Sequence, residues 1–307
     1  MTTFLADARE TLAPRHGSRD GLLPPLLVAL TVVTGLVDAF SYLILGHVFV
    51  ANQTGNVVFF AFALAGIGGF SVAASLVAIG CFAVGALAGG RLGRSLAGRR
   101  ELLLGVTTLV QAVIVAEAVT MTALAATPMQ VGVRYALIAV LAATMGVQNA
   151  TARKLAVPDL TTTVLTLTIT GIAADGPLAG ATGAHVARRL ISVVAMFAGA
   201  LVGAVLVLHA RIVYPLAIAL FVLAVVAVIV TASATITAWM PTVTPSSSSR
   251  RPARDRPSRP AASAPRAKQP IAPSDAATEN PPMPASANAK KTTLPVWLAT
   301  KTWPRTR

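Results

Sequence analysis

Residues 39–90 read AFSYLILGHVFVANQTGNVVFFAFALAGIGGFSVAASLVAIGCFAVGALAGG, and these 52 residues contain no Asp, Glu, Lys or Arg. As a helix they would extend roughly 78 Å at about 1.5 Å per residue, more than twice the ~30 Å hydrocarbon core of a bilayer. The stretch therefore predicts at least two segments embedded in a membrane.

The composition extends this prediction to most of the chain. Of 307 residues, 55% are hydrophobic and 12% are charged, and the mean hydropathy is +0.71; soluble proteins average about 25% charged residues. A single cysteine, Cys81, excludes a disulfide framework and a cysteine metal site. Apolar segments occur at about 22–46, 48–68, 70–90, 102–126, 131–152, 160–174, 190–210 and 212–240. We predict an all-α integral membrane protein, a polytopic helical bundle over residues 21–240.

The two ends of the chain differ from this domain. Residues 1–20 are polar and predict a cytoplasmic N-terminal arm rather than a cleaved signal. Residues 241–307 contain 13 of the 20 prolines and 12 of the 25 Lys and Arg residues, which predicts a disordered basic tail. Such a tail is either solvated without a specific role or attracted to anionic lipid head groups. Without interleaved aromatic residues, no nucleic-acid partner is expected.

Three short patterns recur in the same order in the two halves of the domain. The matching pairs are residues 35–39 with 146–150, 54–56 with 166–168, and 85–89 with 199–203. The offset grows slowly from 111 to 114 residues, as expected for a duplication. This predicts repeats at about 21–126 and 131–240.

Basic residues indicate the topology. If all eight segments cross, the basic residues outside the tail divide six to seven between the two sides, which is no bias. If the second and sixth segments dip in and return, eleven lie inside and only Arg134 and Arg211 lie outside, as the positive-inside rule expects. Residues 161–170 carry six threonines, and Asp159 and Asp175 bracket this short sixth segment. We therefore predict about six crossings plus two short or re-entrant segments, and three crossings per repeat would make the repeat inverted.

Polar residues within the apolar domain are the candidate site. A charged side chain near the bilayer centre costs about 2.5–3.5 kcal/mol on insertion scales, and so it persists where it faces protein or water. We predict a midplane ligand site lined by Asp38, Asn52, Thr54, Asn56, Gln148 and Asn149. The alternatives are a hydrogen-bonded Asp38 that joins helices, and Asn and Thr side chains that cap the start of a helix.

Other residues receive structural or weaker functional interpretations. Gly85, Gly89, Gly199 and Gly203 have the small-xxx-small spacing of closely packed membrane helices. Glu117 is the only charged residue within the fourth segment. Its side chain either forms a hydrogen bond that packs helices together or has a functional role. The four histidines are scattered, and the motifs of hydrolases, NTPases and metalloproteases do not occur in the sequence. We expect no enzymatic activity, metal or cofactor.

The residues Gly35-Leu-Val-Asp38-Ala39, Phe49-Val-Ala-Asn52-Gln-Thr54-Gly55-Asn56-Val and Gly146-Val-Gln148-Asn149-Ala150 raise a resemblance. They are similar to motifs of the YoaK-like family of bacterial multi-pass membrane proteins, a domain family of unknown function. The resemblance covers roughly residues 21–235 and leaves the tail outside. It implies a polytopic inner-membrane protein, and it implies neither a substrate nor a catalytic residue.

Two functions fit these features. The first is a secondary transporter or channel for a small solute or ion, a cation or proton-coupled solute above all, because Asp38 supplies a negative charge. The alternative is a non-transporting scaffold or sensor whose basic tail binds lipid or a partner. The charge bias places both the N-terminus and the tail in the cytoplasm.

Overall fold

The fold is a bundle of α-helices, observed in a computed structural model that describes residues 2–15, 20–126, 128–157, 165–174 and 186–239. All of these residues lie in the first of two units of the chain, Met1–Thr244, whereas the predicted tail at 241–307 lies outside the described residues. The helices are α1 (Thr2–Leu12), α2 (Leu23–Ile44), α3 (Gln53–Leu64), α4 (Val72–Ser95), α5 (Arg100–Leu124), α6 (Val131–Leu155), α7 (Leu165–Ala174), α8 (Val186–His209) and α9 (Tyr214–Trp239).

Among the described residues, six helices are long and apolar enough to cross a membrane: α2, α4, α5, α6, α8 and α9. In the part of the chain that the structure describes, two predicted segments contain helices shorter than a crossing. The segment predicted at 48–68 contains only the 12-residue helix α3, and α7 has 10 residues. At about 1.5 Å per residue, these lengths are roughly 18 and 15 Å, well below the ~30 Å of a hydrocarbon core. The prediction of an all-α bundle with about six crossings is confirmed.

The predicted N-terminal arm contains a helix, because residues 2–12 form α1. Its Asp7 carboxylate accepts a hydrogen bond from the backbone N–H of Arg188, and its Thr11 hydroxyl accepts one from the Arg188 Nε, both at 3.3 Å. Arg188 lies in the first turn of α8. The carboxylate thus satisfies one of the N–H groups that a helix start leaves without an internal partner. The arm is therefore packed against the bundle.

One end of the bundle is organised by Arg100, at the start of α5. Its guanidinium forms a 3.0 Å salt bridge with Asp20, which precedes α2, and also donates to the carbonyl of Leu155, at the end of α6. The loop between α4 and α5 is short, so the end of α4 lies here too. We call this level of the molecule the Arg100 end.

The opposite end, which we call the Tyr135 end, holds the starts of α4 and α6. The hydroxyl groups of Ser71 and Tyr135 are 3.3 Å apart. After α2, the chain reverses through Gly46 and His47, whose φ angles are +98° and +56°. The His47 Nδ1 lies 3.1 Å from the carbonyl oxygen of Gly69. The end of α2 and the start of α4 are therefore neighbours. The chain that contains α3 leaves and returns on the same side of the bundle.

Glycines allow two helix pairs to pack with their backbones in contact. A Cβ atom on Gly35 of α2 would overlap backbone atoms of Met196 and Ala200 in α8. In the same way, a Cβ atom on Gly146 of α6 would overlap backbone atoms of Phe82 and Ala86 in α4. A Cβ atom on Gly199 would meet the carbonyl oxygen of Val32, and one on Gly85 would meet that of Ala143. In lipid, no hydrophobic driving force holds helices together, so this close approach stabilises the pairs through van der Waals contact.

Candidate functional site

The carboxylate of Asp38 binds the chain that leads into α3. One oxygen accepts hydrogen bonds from the backbone N–H groups of Val50 (3.0 Å) and Ala51 (2.8 Å). The other accepts from the backbone N–H of Asn52 (3.2 Å) and from the Asn52 side-chain amide (2.5 Å). Successive N–H groups directed at one point form an anion-binding nest. Asp38 is only 3% exposed, so its negative charge lies buried against four donors.

Asn56 fixes the same loop from the other side. Its amide oxygen accepts from the Phe49 N–H at 2.9 Å, and its amide nitrogen donates to the Phe49 carbonyl at 2.6 Å. The amide nitrogen also donates to the Gln53 side chain at 2.7 Å. A Cβ atom on Gly55 would lie 2.8 Å from the Phe49 ring, so the absence of a side chain at Gly55 leaves room for this ring. Four residues of the Asn-Gln-Thr-Gly-Asn motif therefore have partners that hold the start of α3.

An aromatic cluster completes the support of α3. The rings of Tyr42 and Phe49 stack at a centroid distance of 5.0 Å, and those of Phe59 and Phe70 stack at 5.1 Å. His47 meets Tyr42 edge-on at 5.2 Å. Offset-stacked and edge-to-face contacts add about 0.5–1.5 kcal/mol each beyond the area they bury. The short helix is thus held by polar contacts at its start and by rings along its side.

Helix α3 begins inside the bundle rather than at its rim. Asp38 lies six residues before the end of α2, which corresponds to about 9 Å below the Tyr135 end. Because the N–H groups of residues 50–52 reach this carboxylate, the chain descends to that depth before α3 carries it back. Irregular backbone at membrane depth occurs where it is buried in protein or lines a polar cavity. The segment between α2 and α4 has the form of a re-entrant loop.

Gln148 lies in a second polar cluster, in the core between α2, α5 and α6. Its amide nitrogen donates to the Thr34 hydroxyl at 2.9 Å and to the Leu30 carbonyl at 3.3 Å. Its amide oxygen accepts from the Gln111 side chain at 2.6 Å. Thr34, Gln111 and Gln148 are each at most 3% exposed. This cluster joins three helices through hydrogen bonds of the Gln148 side chain.

The two clusters are connected along α2. Thr34 and Asp38 are four residues apart, so they share one helix face and are separated by one turn, about 6 Å. Thr31 and Ser41 lie on the same face, and both are buried. A buried polar face therefore runs from the core cluster of Gln148 to the start of the re-entrant helix.

The remaining predicted site residues take other positions. Thr54 is exposed, unlike the other residues of its motif, and Glu117 is also exposed on α5. The amide of Asn149 donates to the carbonyl of Met145 in its own helix at 2.9 Å. Asn149 lies six residues before the end of α6, which is near the Arg100 end, whereas Asp38 lies near the Tyr135 end. The structure thus brings Asp38 to Asn52 and places Gln148 in a separate cluster, and a shared ligand site stays a prediction.

Sequence reasoning missed Gln111 and Thr34. Neither belongs to a matched pattern, and a Gln or Thr in an apolar segment is unremarkable by type. The signal was their spacing, because Thr107, Thr108 and Gln111 occupy one face of α5. Within the described residues, no three His, Cys, Asp or Glu side chains are grouped so that they could hold a metal ion.

Comparison with known proteins identifies a family. A family model described as a protein of unknown function (DUF1275) matches residues 26–229, which extend from the first turn of α2 far into α9. The chain belongs to this family. The resemblance to YoaK-like proteins drawn from the Asp38 and Asn52–Asn56 motifs is confirmed, and so is a membrane location.

One relative is a transmembrane protein of a Bacillus species. The UPF0700 transmembrane protein YoaK of Bacillus subtilis (strain 168) is 31% identical over 157 residues. The match covers 49% of this chain and 65% of that protein, so the chain spans just under two thirds of its relative's length. No solved structure matches the chain.

Proposed function

We propose that the chain is a secondary transporter or channel of the bacterial inner membrane, which moves a small solute along the polar face of α2. The observation that carries this proposal is the re-entrant loop held at depth by Asp38, one turn from the buried Thr34–Gln148–Gln111 cluster. Broken helices near the midplane are where many secondary transporters bind their substrates.

The helix pairing supports an inverted repeat. The contact of Gly35 with Met196 and Ala200 corresponds to the contact of Gly146 with Phe82 and Ala86. The sequence offsets of 111 and 114 residues relate every member of these two sets. With three crossings in each half, the second half would run in the opposite direction across the membrane. Inverted repeats of this kind recur in transporters, with the substrate site where the halves meet.

The distribution of charge supports an orientation. Arg91, Arg94, Arg99, Arg100, Arg153, Lys154, Arg188 and Arg189 belong to helix turns or loops at the Arg100 end. Arg134 and Arg211 belong to the Tyr135 end. Because Lys and Arg favour the cytoplasmic side, the Arg100 end would face the cytoplasm.

The chemistry of the clusters favours transport over catalysis. Their groups are amides, hydroxyls and one carboxylate surrounded by donors, and such groups bind rather than activate. General acid–base or nucleophilic catalysis needs a base positioned beside a reacting group. We therefore propose that the protein is not an enzyme.

Flux into liposomes tests the proposal. Full-length protein is reconstituted, and its transport of Na⁺, K⁺ and protons is measured as current on a solid-supported membrane. Its transport of urea and glycerol is measured by stopped-flow light scattering. We expect at least one solute to move faster than in protein-free liposomes.

The double variant Gln111→Leu/Gln148→Leu separates transport from packing. Replacing both partners of a buried hydrogen bond by apolar groups of similar shape is nearly neutral for stability. We expect this variant to fold and to lose the flux, whereas Glu117→Gln on the exposed face of α5 keeps it. Unchanged flux in the double variant would remove the cluster from the path. No flux for any solute would favour the alternative, a non-transporting scaffold or sensor.

A further inference from the structure

We propose that the transported solute is a small uncharged molecule that forms hydrogen bonds, and that it binds along a threonine face of α6. This inference rests on the proposed transport function and names its substrate class. It replaces the expectation of a cation drawn from Asp38 alone. It rests on a comparison of the core polar groups that already have hydrogen-bond partners with those that do not.

The carboxylate of Asp38 has no hydrogen-bond acceptor capacity left for a solute. Both oxygens of Asp38 accept from the loop that precedes α3, through four donors in all. Among the described residues, Asp38 is the only buried acid. A cation that bound this carboxylate would have to displace the backbone of Val50, Ala51 and Asn52 and release α3. The arrangement therefore suits an anchor better than a cation ligand.

Hydrogen-bonding capacity remains on α5 and α6. In the described part of the chain, three buried hydroxyl groups have no hydrogen-bond partner, and they belong to Thr108, Thr144 and Thr151. Leaving a buried polar group without a partner is unfavourable, and native proteins do so rarely. Thr144, Gln148 and Thr151 follow a spacing of four and three residues, which places them on one face of α6. This threonine face meets α2 through the hydrogen bonds of Gln148.

A groove reaches one end of this face, at Thr144. It is an open groove between α4, α5 and α6 with a volume of about 180 Å³. Thr107, Gln111 and Thr144 line it beside apolar residues such as Val84 and Ile114, almost all of its accessible wall is apolar, and the Thr144 hydroxyl lies just beneath that wall. The volume exceeds the roughly 30 Å³ that one water molecule occupies in the liquid, so a solute of several heavy atoms fits. Apolar walls penalise an ion far more than a neutral molecule, because an ion loses more hydration energy.

Isosteric variants test the threonine face. Thr144→Val and Thr151→Val each remove a hydroxyl without a partner, and the change of shape is small. Thr122→Val is the matched control, because its hydroxyl is equally buried but donates to the Ala118 carbonyl of its own helix at 2.7 Å. Each full-length variant is reconstituted, and permeability to urea and to glycerol is measured by stopped-flow light scattering. Thermal melting in detergent reports folding.

We expect urea or glycerol to cross faster in the presence of the protein than in protein-free liposomes. Thr144→Val and Thr151→Val should lower this permeability about two- to tenfold, the effect of losing one hydrogen bond to the solute. Both variants should melt at or above the wild-type temperature, since a hydroxyl that lacked a protein partner is gone. Thr122→Val should leave permeability unchanged.

Three results would overturn the inference. Ion currents without movement of urea or glycerol would refute the uncharged substrate class while the transport function stands. Movement of urea that is equal in wild type, Thr144→Val and Thr151→Val would show that the hydroxyls serve packing alone. Transport of neither ions nor uncharged solutes would refute the transport function itself, and the inference with it. If Thr144→Val misfolds, Thr151→Val and Thr108→Val still decide the outcome.

Discussion

At the scale of single residues, the neighbours of Asp38 decide what a substitution there means. Asn keeps the size of Asp and removes its charge, so the sequence alone presents Asp38→Asn as a clean test of charge. The structure changes that expectation, because every group that faces the carboxylate is a donor. An asparagine amide would turn its NH₂ group toward two of these donors. The substitution therefore alters hydrogen bonding as well as charge.

We predict that Asp38→Asn destabilises the protein by about 1–3 kcal/mol, the cost of leaving buried donors without an acceptor. The lower stability should appear as a lower melting temperature in detergent. Proteolysis should also become faster between α2 and α4, because the loop at residues 48–52 loses its anchor. Glu117→Gln makes the same chemical change at an exposed position and should alter neither measurement. Equal melting of the two variants would show that Asp38 does not hold the loop.

At the scale of helices, hydropathy predicted the positions of most membrane spans. The short helices depend on residue chemistry that a hydropathy profile does not contain. The segment at 48–68 has the length of a crossing, yet α3 covers only Gln53–Leu64. Its start is set by the Asn56 bonds to Phe49 and by the carboxylate of Asp38, which are contacts between separate parts of the chain. The motif residues were recognised from the sequence, but their partners were not. The helix α1 was missed because its residues are mainly polar.

Pairing of α4 with α6 depends on Gly85. We predict that Gly85→Ala disrupts this pair, because the new Cβ atom would overlap the backbone carbonyl of Ala143. Overpacking typically costs 1–3 kcal/mol, and a backbone obstacle leaves little room for relaxation. Gly90→Ala on the same helix is the control, since nothing lies within 4 Å of its Cβ position. It should be neutral or slightly stabilising, because alanine favours helix over glycine by up to about 1 kcal/mol.

Thermal melting and gel filtration of the two glycine variants check this prediction. Gly85→Ala should melt at a lower temperature than wild type or elute as aggregate, whereas Gly90→Ala should behave as wild type. If both variants melt alike, the contact between α4 and α6 is looser than the structure indicates. The glycine spacing in the sequence pointed to close packing, and the structure adds the partner of each glycine.

At the scale of the whole molecule, topology follows from two independent observations. The sequence gives a bias of eleven basic residues to two when the second and sixth segments do not cross. The structure places His47 beside Gly69, so the chain around α3 leaves and returns on one side. Neither observation uses the other. An arrangement with eight crossings would place these two residues on opposite sides of the membrane.

Cysteine accessibility tests this arrangement in intact bacterial cells, after Cys81 is replaced by serine. Ala97 is exposed in the loop at the Arg100 end, Gln130 is exposed at the Tyr135 end, and Gly68 is exposed just after α3. With the Arg100 end in the cytoplasm, Ala97→Cys should resist a membrane-impermeant maleimide until the cells are permeabilised. Gln130→Cys and Gly68→Cys should react at once. Eight crossings would reverse the labelling at Ala97 and protect both other positions, so the three sites together distinguish a wrong topology from a poorly reactive cysteine.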